Sequence, residues 1–184
     1  MTRIVAGAAK GRRLVVPARG TRPTSDRARE ALFSTLGGLL DLAGTRMLDL
    51  YAGTGAVGLE ALSRGAGHVT FVESDRAAAA TLRRNVEAVG LPGAQLVTSS
   101  VEGYLASRAG APFDLVYLDP PYALDDAALG AVLGELAAPH WLVAGAVVVV
   151  ERSAHADEPR WPDVIESVKQ RRYGAGVLWY GRLK

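Results

Sequence analysis

From Arg46 to Glu151 the chain alternates short apolar runs, each ended by turn-forming residues, with longer segments of helical spacing. Strands are expected at Arg46–Leu50, His68–Glu73, Gln95–Thr98, Phe113–Leu118 and Ala146–Glu151, and helices at Ala56–Arg64, Asp75–Val89, Val101–Ser107 and Asp125–Leu136. Strands joined through helices run parallel, so this order predicts an α/β fold with a mostly parallel sheet and helices on both faces. After Trp161-Pro162, the runs Ile165–Tyr173 and Val177–Arg182 are split by Gly174-Ala175-Gly176, which predicts that the sheet ends in an antiparallel hairpin. Upstream, Arg3 to Val16 alternates weakly and fits a short β-hairpin turning near Lys10-Gly11. Pro17 to Pro23 reads as a loop, and Thr24 or Ser25 as the cap of a helix running to about Leu40. Two units are expected: a basic hairpin extension over residues 1–23 and the main domain over 24–184.

Several function classes fall away on composition. Of 184 residues 49% are hydrophobic, ample for one core and incompatible with a disordered chain. There is no cysteine, hence no disulfide framework and no thiolate zinc site. The longest apolar run, Ala146 to Val150, is far too short to span a bilayer, and Met1 to Arg13 has no apolar leader; a cytoplasmic monomer is expected, with no membrane association. His68, His140 and His155 stand beside no Ser or carboxylate pattern, so no triad and no metal is expected. Trp141 and Trp161 read as packing residues, and Glu60 and Glu87 as exposed helix positions.

Charge is divided unevenly beneath a formal net of +2. Residues 1–30 hold eight basic side chains against two acidic, and residues 167–184 hold five basic and none acidic, which leaves eight basic and seventeen acidic residues to the middle. Termini of this kind point to a polyanionic partner.

Two strand ends carry chemistry. After the first strand comes Asp49-Leu50-Tyr51-Ala52-Gly53-Thr54-Gly55-Ala56-Val57-Gly58, with Glu73 twenty residues beyond Gly53 at the end of the second strand. Glycines let the backbone turn tightly against a ligand, the following helix N-terminus favours anionic groups, and a carboxylate at the second strand end accepts from ribose hydroxyls. The pattern also fits a nicotinamide dinucleotide, so an oxidoreductase stands as an alternative. Three features favour S-adenosylmethionine. Asp49 can hold the loop and accept from a cationic amine. Ser100-Val101, after the third strand, can recognise and cover an adenine. The fourth strand ends in Asp119-Pro120-Pro121-Tyr122, for which hydride transfer has no use.

An exocyclic base amine is a poor nucleophile because its lone pair is delocalised into the ring. The Asp119 carboxylate and the Pro120 carbonyl can accept its two N–H groups and turn the lone pair toward a methyl donor. Pro120 and Pro121 fix the backbone and remove competing donors. Tyr122 offers a face for an extruded base.

Beyond these motifs, Arg3-Ile4-Val5-Ala6-Gly7, Lys10-Gly11-Arg12-Arg13-Leu14, Arg22-Pro23-Thr24-Ser25-Asp26-Arg27-Ala28-Arg29-Glu30-Ala31-Leu32-Phe33 and Asp49 through Ala66 resemble the RsmD-type bacterial 16S rRNA guanine-N2 methyltransferases over nearly the whole length. The resemblance implies a class I methyltransferase domain with a seven-stranded sheet, S-adenosylmethionine as donor, and a guanine of 16S rRNA in the assembling 30S particle as acceptor. It implies that Asp49, Tyr51, Ala52, Gly53, Gly55, Glu73, Ser100 and Val101 bind the cofactor, that Thr24 and Arg27 close the site over its methionine end, and that Arg3, Lys10, Arg12, Arg13 and Arg22 grip phosphates, apart from the catalytic core. Tyr51, Thr54 and Tyr122 stand where relatives often carry Phe, Ser and Phe; a Tyr ending the clamp is also common in DNA adenine-N6 enzymes, so DNA adenine remains an alternative acceptor, as does a non-catalytic RNA-binding assembly module on the same fold.

Overall fold

The computed structural model describes residues 2–16, 25–107 and 110–184. A two-stranded antiparallel ribbon, β1 (Thr2–Arg3) and β2 (Arg13–Leu14), precedes α1 (Asp26–Leu36). Then follow β3 (Arg46–Leu50), α2 (Ala56–Ser63), β4 (His68–Glu73), α3 (Arg76–Val89), β5 (Ala94–Thr98), α4 (Val101–Ala106), β6 (Phe113–Leu118), α5 (Asp126–Leu136), β7 (Leu142–Ser153), β8 (Ile165–Tyr173) and β9 (Gly176–Leu183). The seven strands after the ribbon form one sheet in the order β5-β4-β3-β6-β7-β9-β8, parallel from β5 to β7 and antiparallel at β9 and β8.

The central strands are largely apolar because both of their faces are covered. Met47, Val69, Phe71, Leu115, Tyr117, Val147 and Val149 pack toward α1, α2 and α3. Their neighbours in sequence, Leu48, Val72, Val116, Leu118, Val148 and Val150, pack toward α4 and α5. Helix starts follow from local capping: Ser25, Asp75, Ser100 and Asp125 each accept the N–H three residues on.

Two elements differ from the sequence expectation. Helix α1 stops at Leu36 rather than near Leu40, because Gly37-Gly38 follows and the Gly37 N–H already closes on Phe33. Strand β7 begins at Leu142, four residues early; Gly145 lies at φ +77°, and the register shift between Phe113 and Leu115 absorbs it as a bulge inside the strand.

The N-terminal ribbon is built into the core. Ile4, Ala9 and Leu14 are buried in the cluster shared with α2 and α3. The Val5 and Ala6 N–H groups donate to the Glu60 carboxylate at 2.8 and 2.9 Å, and the Ala9 N–H to Ser63 Oγ at 2.9 Å. Glu60, read from its polar identity as an exposed helix position, is fully buried; its anion is needed there to receive these N–H groups, the Arg64 Nε at 2.8 Å and the Arg29 guanidinium at 3.9 Å. Glu87 is exposed as expected, and Trp141 is buried beside Tyr104.

Candidate active site

Strands β4 and β5 lie on one side of β3, and β6 and β7 on the other, so the strand order reverses between β3 and β6. Ligands of open α/β sheets bind at such a reversal, outside the carboxyl ends of the strands. The glycine loop follows β3 and the Asp-Pro-Pro-Tyr segment follows β6, so pairing of Leu50 with Leu118 sets the two motifs side by side. The Asp119 N–H reaches the Leu50 carbonyl at 3.4 Å.

Positive φ shapes the loop. Tyr51 lies at φ +59°, a conformation unusual for an aromatic residue, and Gly53 and Gly55 at +56° and +78°. A Cβ at Gly55 would stand 2.1 Å from Leu82 Cδ1, so only glycine fits against α3 there. A Cβ at Gly53 would meet nothing within 4 Å, so the space beside its backbone is open. Glu73 spans the loop: one carboxylate oxygen accepts the Gly53 N–H at 2.8 Å and the other the Asp75 N–H at 2.8 Å. Asp49 is buried beneath, accepting the Gly58 N–H at 3.0 Å in the first turn of α2. Burial pushes its carboxyl well above the usual range; the Gly58 bond opposes this, while the charges of Asp119 and Glu73 add to it.

Asp119 is driven up to about 7, first by burial and then by the neighbouring Glu151, which is itself the acceptor for the Tyr117 hydroxyl. Pro120 is buried. The Pro121 carbonyl accepts the Leu124 N–H at 2.9 Å, whereas the Pro120 carbonyl takes no hydrogen bond among the described residues. Tyr122 projects its ring, 80% exposed. Ser100 caps α4 through Gly103, and Val101 is buried among α4 and α5 residues instead of presenting an open apolar face.

Three carboxylates, from Asp49, Glu73 and Asp119, thus interact at the ends of β3, β4 and β6. Such a collar suits a cation such as a sulfonium or ammonium, and the open Gly53 edge suits the rest of an adenosyl ligand. The residues present fit S-adenosylmethionine.

The expected phosphate grip is only partly brought together. Arg3, Lys10 and Arg27 line a cleft of about 240 Å³ between the ribbon and α1, with Asp26 and Glu30, so Arg27 shares a surface with the ribbon cations. Arg12 is spent on the last carbonyl of α3, at Val89, and Arg13 is exposed on β2. Arg22 and Thr24 lie outside the described residues.

One site residue escaped the sequence reading altogether. Asn85 of α3 is fully buried; its Nδ2 donates to the Thr54 carbonyl in the glycine loop and to the Val15 carbonyl, and its Oδ1 accepts the Val15 N–H. It therefore ties the glycine loop to the segment leaving the ribbon. A polar residue amid an otherwise amphipathic helix was the available signal.

A family profile described as "Conserved hypothetical protein 95" matches residues 2–182. The chain is 37% identical over 161 residues to the Escherichia coli (strain K12) "Ribosomal RNA small subunit methyltransferase D", covering 87% of this chain and 79% of that protein. The chain belongs to this methyltransferase family. It is also 34% identical over 183 residues to Bacillus subtilis YlbH, with 97% of each covered. The solved structure of Escherichia coli yhhF superposes with a TM-score of 0.88 at 31% identity, over 100% of this chain and 98% of that one. The class I methyltransferase fold follows.

Proposed function

We propose that the protein transfers a methyl group from S-adenosylmethionine to the exocyclic N2 amine of a guanine in 16S rRNA of the assembling small subunit. The observation that carries this reading is Asp119 beside an unused Pro120 carbonyl, at the strand-order reversal and next to the glycine loop. Membership of the family supports rRNA as the acceptor.

When bound, the cofactor supplies an electrophilic methyl on sulfur. Glu73, with lone pairs left beyond its two loop bonds, accepts from ribose hydroxyls, and Asp49 holds α2 under the loop. The Asp119 carboxylate accepts one N–H of the guanine amine and the Pro120 carbonyl the other. That pair directs the nitrogen lone pair, and Asp119 receives the proton the amine sheds as it becomes secondary. The exposed Tyr122 ring stacks on the extruded base. Catalysis of this kind rests mostly on in-line positioning.

Three expected results follow from these roles. Glu73→Ala weakens S-adenosylmethionine binding by about 1.5–3 kcal/mol, the range for hydrogen bonds to a charged group, readable by calorimetry. Tyr122→Ala lowers kcat/KM for RNA by an amount worth about 1–3 kcal/mol while leaving cofactor affinity and Tm unchanged, since the ring packs against little. The pH profile follows Asp119, whose carboxyl is raised to about 7. Only the ionised form can take up the proton the amine sheds, so kcat/KM rises with pH through about 7 and levels above it; a bound sulfonium favours the carboxylate, so the kcat limb falls at lower pH.

The acceptor is tested by supplying labelled S-adenosylmethionine with 30S particles, free 16S rRNA and duplex DNA in parallel. Label in rRNA guanine is expected; label in DNA adenine would overturn the reading.

A further inference from the structure

We infer that the outermost strand, β8, is a second RNA-contacting surface that holds phosphates of the same substrate whose base enters the Asp119 clamp; this rests on the RNA reading above. Among the described residues strand β8 pairs with β9 alone, and every residue from Glu166 to Arg172 is exposed or half-buried. Lys169, Arg171 and Arg172 form no hydrogen bond or ion pair among the described residues. By contrast, Arg182 and Lys184 near the same strands are taken up by the Leu39 and Asp163 carbonyls. Three cations within four residues thus lie along one edge of the sheet, Lys169 half-buried and Arg171 and Arg172 exposed, with Lys169 and Arg171 on one face and Arg172 on the other.

The sheet register places them on the catalytic side. Both β7 and β8 run antiparallel to β9, so they run parallel to each other and end together. Leu118 pairs with Val150, so Asp119 comes level with Glu151. Glu151 pairs with Leu178, and Leu178 with Arg171; Arg152 pairs with Val177, and Val177 with Arg172. Arg171 therefore lies in the same cross-strand row as the clamp, three strand spacings or about 14 Å away. A guanidinium fork suits phosphate oxygens, and phosphate contacts are what position a nucleic acid so that one base can be presented. The competing explanation is protective, because charged residues on an edge strand also prevent pairing with other chains.

Charge reversal separates these. The full-length Lys169→Glu/Arg171→Glu/Arg172→Glu variant keeps a charged edge but repels phosphate. It is titrated, beside wild type, with 30S particles carrying unmethylated 16S rRNA at several salt concentrations. If the three cations touch phosphates, affinity falls by roughly tenfold or more, and the slope of log affinity against log salt flattens by roughly 2–3. The milder Arg171→Gln/Arg172→Gln variant flattens it by roughly 1–2. Cofactor affinity and Tm stay at wild-type values in both. Wild-type affinity and slope in the triple variant would overturn the inference and leave edge protection as the role of these residues. Lost affinity with an unchanged slope would also overturn it, pointing to a ribosomal protein contact. Failure of the functional reading shows separately, as absence of label transfer to RNA by the wild type.

Discussion

Replacing Asp119 with alanine lowers single-turnover methyl transfer by on the order of a hundredfold or more, while cofactor affinity stays within a few-fold. The asymmetry follows from where the carboxylate stands. In the proposed role Asp119 contacts the amine whose charge changes as the bond forms, and loss of one such pre-oriented contact commonly costs about 10²–10³ in kcat. The glycine loop is held by other groups, Glu73 on Gly53 and Asp49 on Gly58, so its shape survives the substitution. Burial and the charge of Glu151 both disfavour the Asp119 anion, so removing it also relieves an electrostatic conflict and no loss of Tm is expected. Turnover at the wild-type rate would mean that the amine is held by something else.

Glu60→Ala has the largest expected effect on stability. The side chain is fully buried and takes two backbone N–H groups of the N-terminal segment, the Arg64 guanidinium and the charge of Arg29. Removing one partner from a buried charge network costs about 3–5 kcal/mol, because the remaining cation and donors lose their anion without regaining water. For a chain of this size that is a fall in Tm on the order of 10 °C, checked by thermal denaturation. Glu60→Gln keeps an acceptor of the same size and should lose less. The same contacts bear on the N-terminal segment. Deleting residues 1–20 would remove Ile4, Ala9 and Leu14 from the core and take Val15 from Asn85, which also holds Thr54. Single charge substitutions at Arg3 or Lys10 are the cleaner probe of a phosphate grip.

Regular alternation made the sheet legible from the chain alone, since apolar runs such as Phe113–Leu118 are bounded by turn residues and separated by helical spacing. The candidate site was proposed from rare residue combinations, Asp-Pro-Pro-Tyr after one strand and a glycine-rich run after another, and the structure sets these two segments side by side. What could not be read depends on long-range partners. Glu60 looks like any surface glutamate until Val5 and Ala6 arrive from 55 and 54 residues away. Asn85 likewise acquires its role only when Val15 and Thr54 meet across α3. Arg27, expected at the cofactor by its motif, lines a cleft together with Lys10 and Arg3, a grouping that no local sequence spacing announces. Glu151 reads simply as the polar end of a valine run, and only the pairing of β6 with β7 shows that it sits beside Asp119.

Guanine N2 methylation of 16S rRNA is tested most directly by mass-spectrometric mapping of nucleosides in rRNA from a strain lacking the protein, before and after complementation. One N2-methylguanosine absent from the deletion strain should return with the wild-type chain and not with Asp119→Ala. An unchanged rRNA modification pattern, or the loss of a methylated adenine from DNA instead, would contradict it.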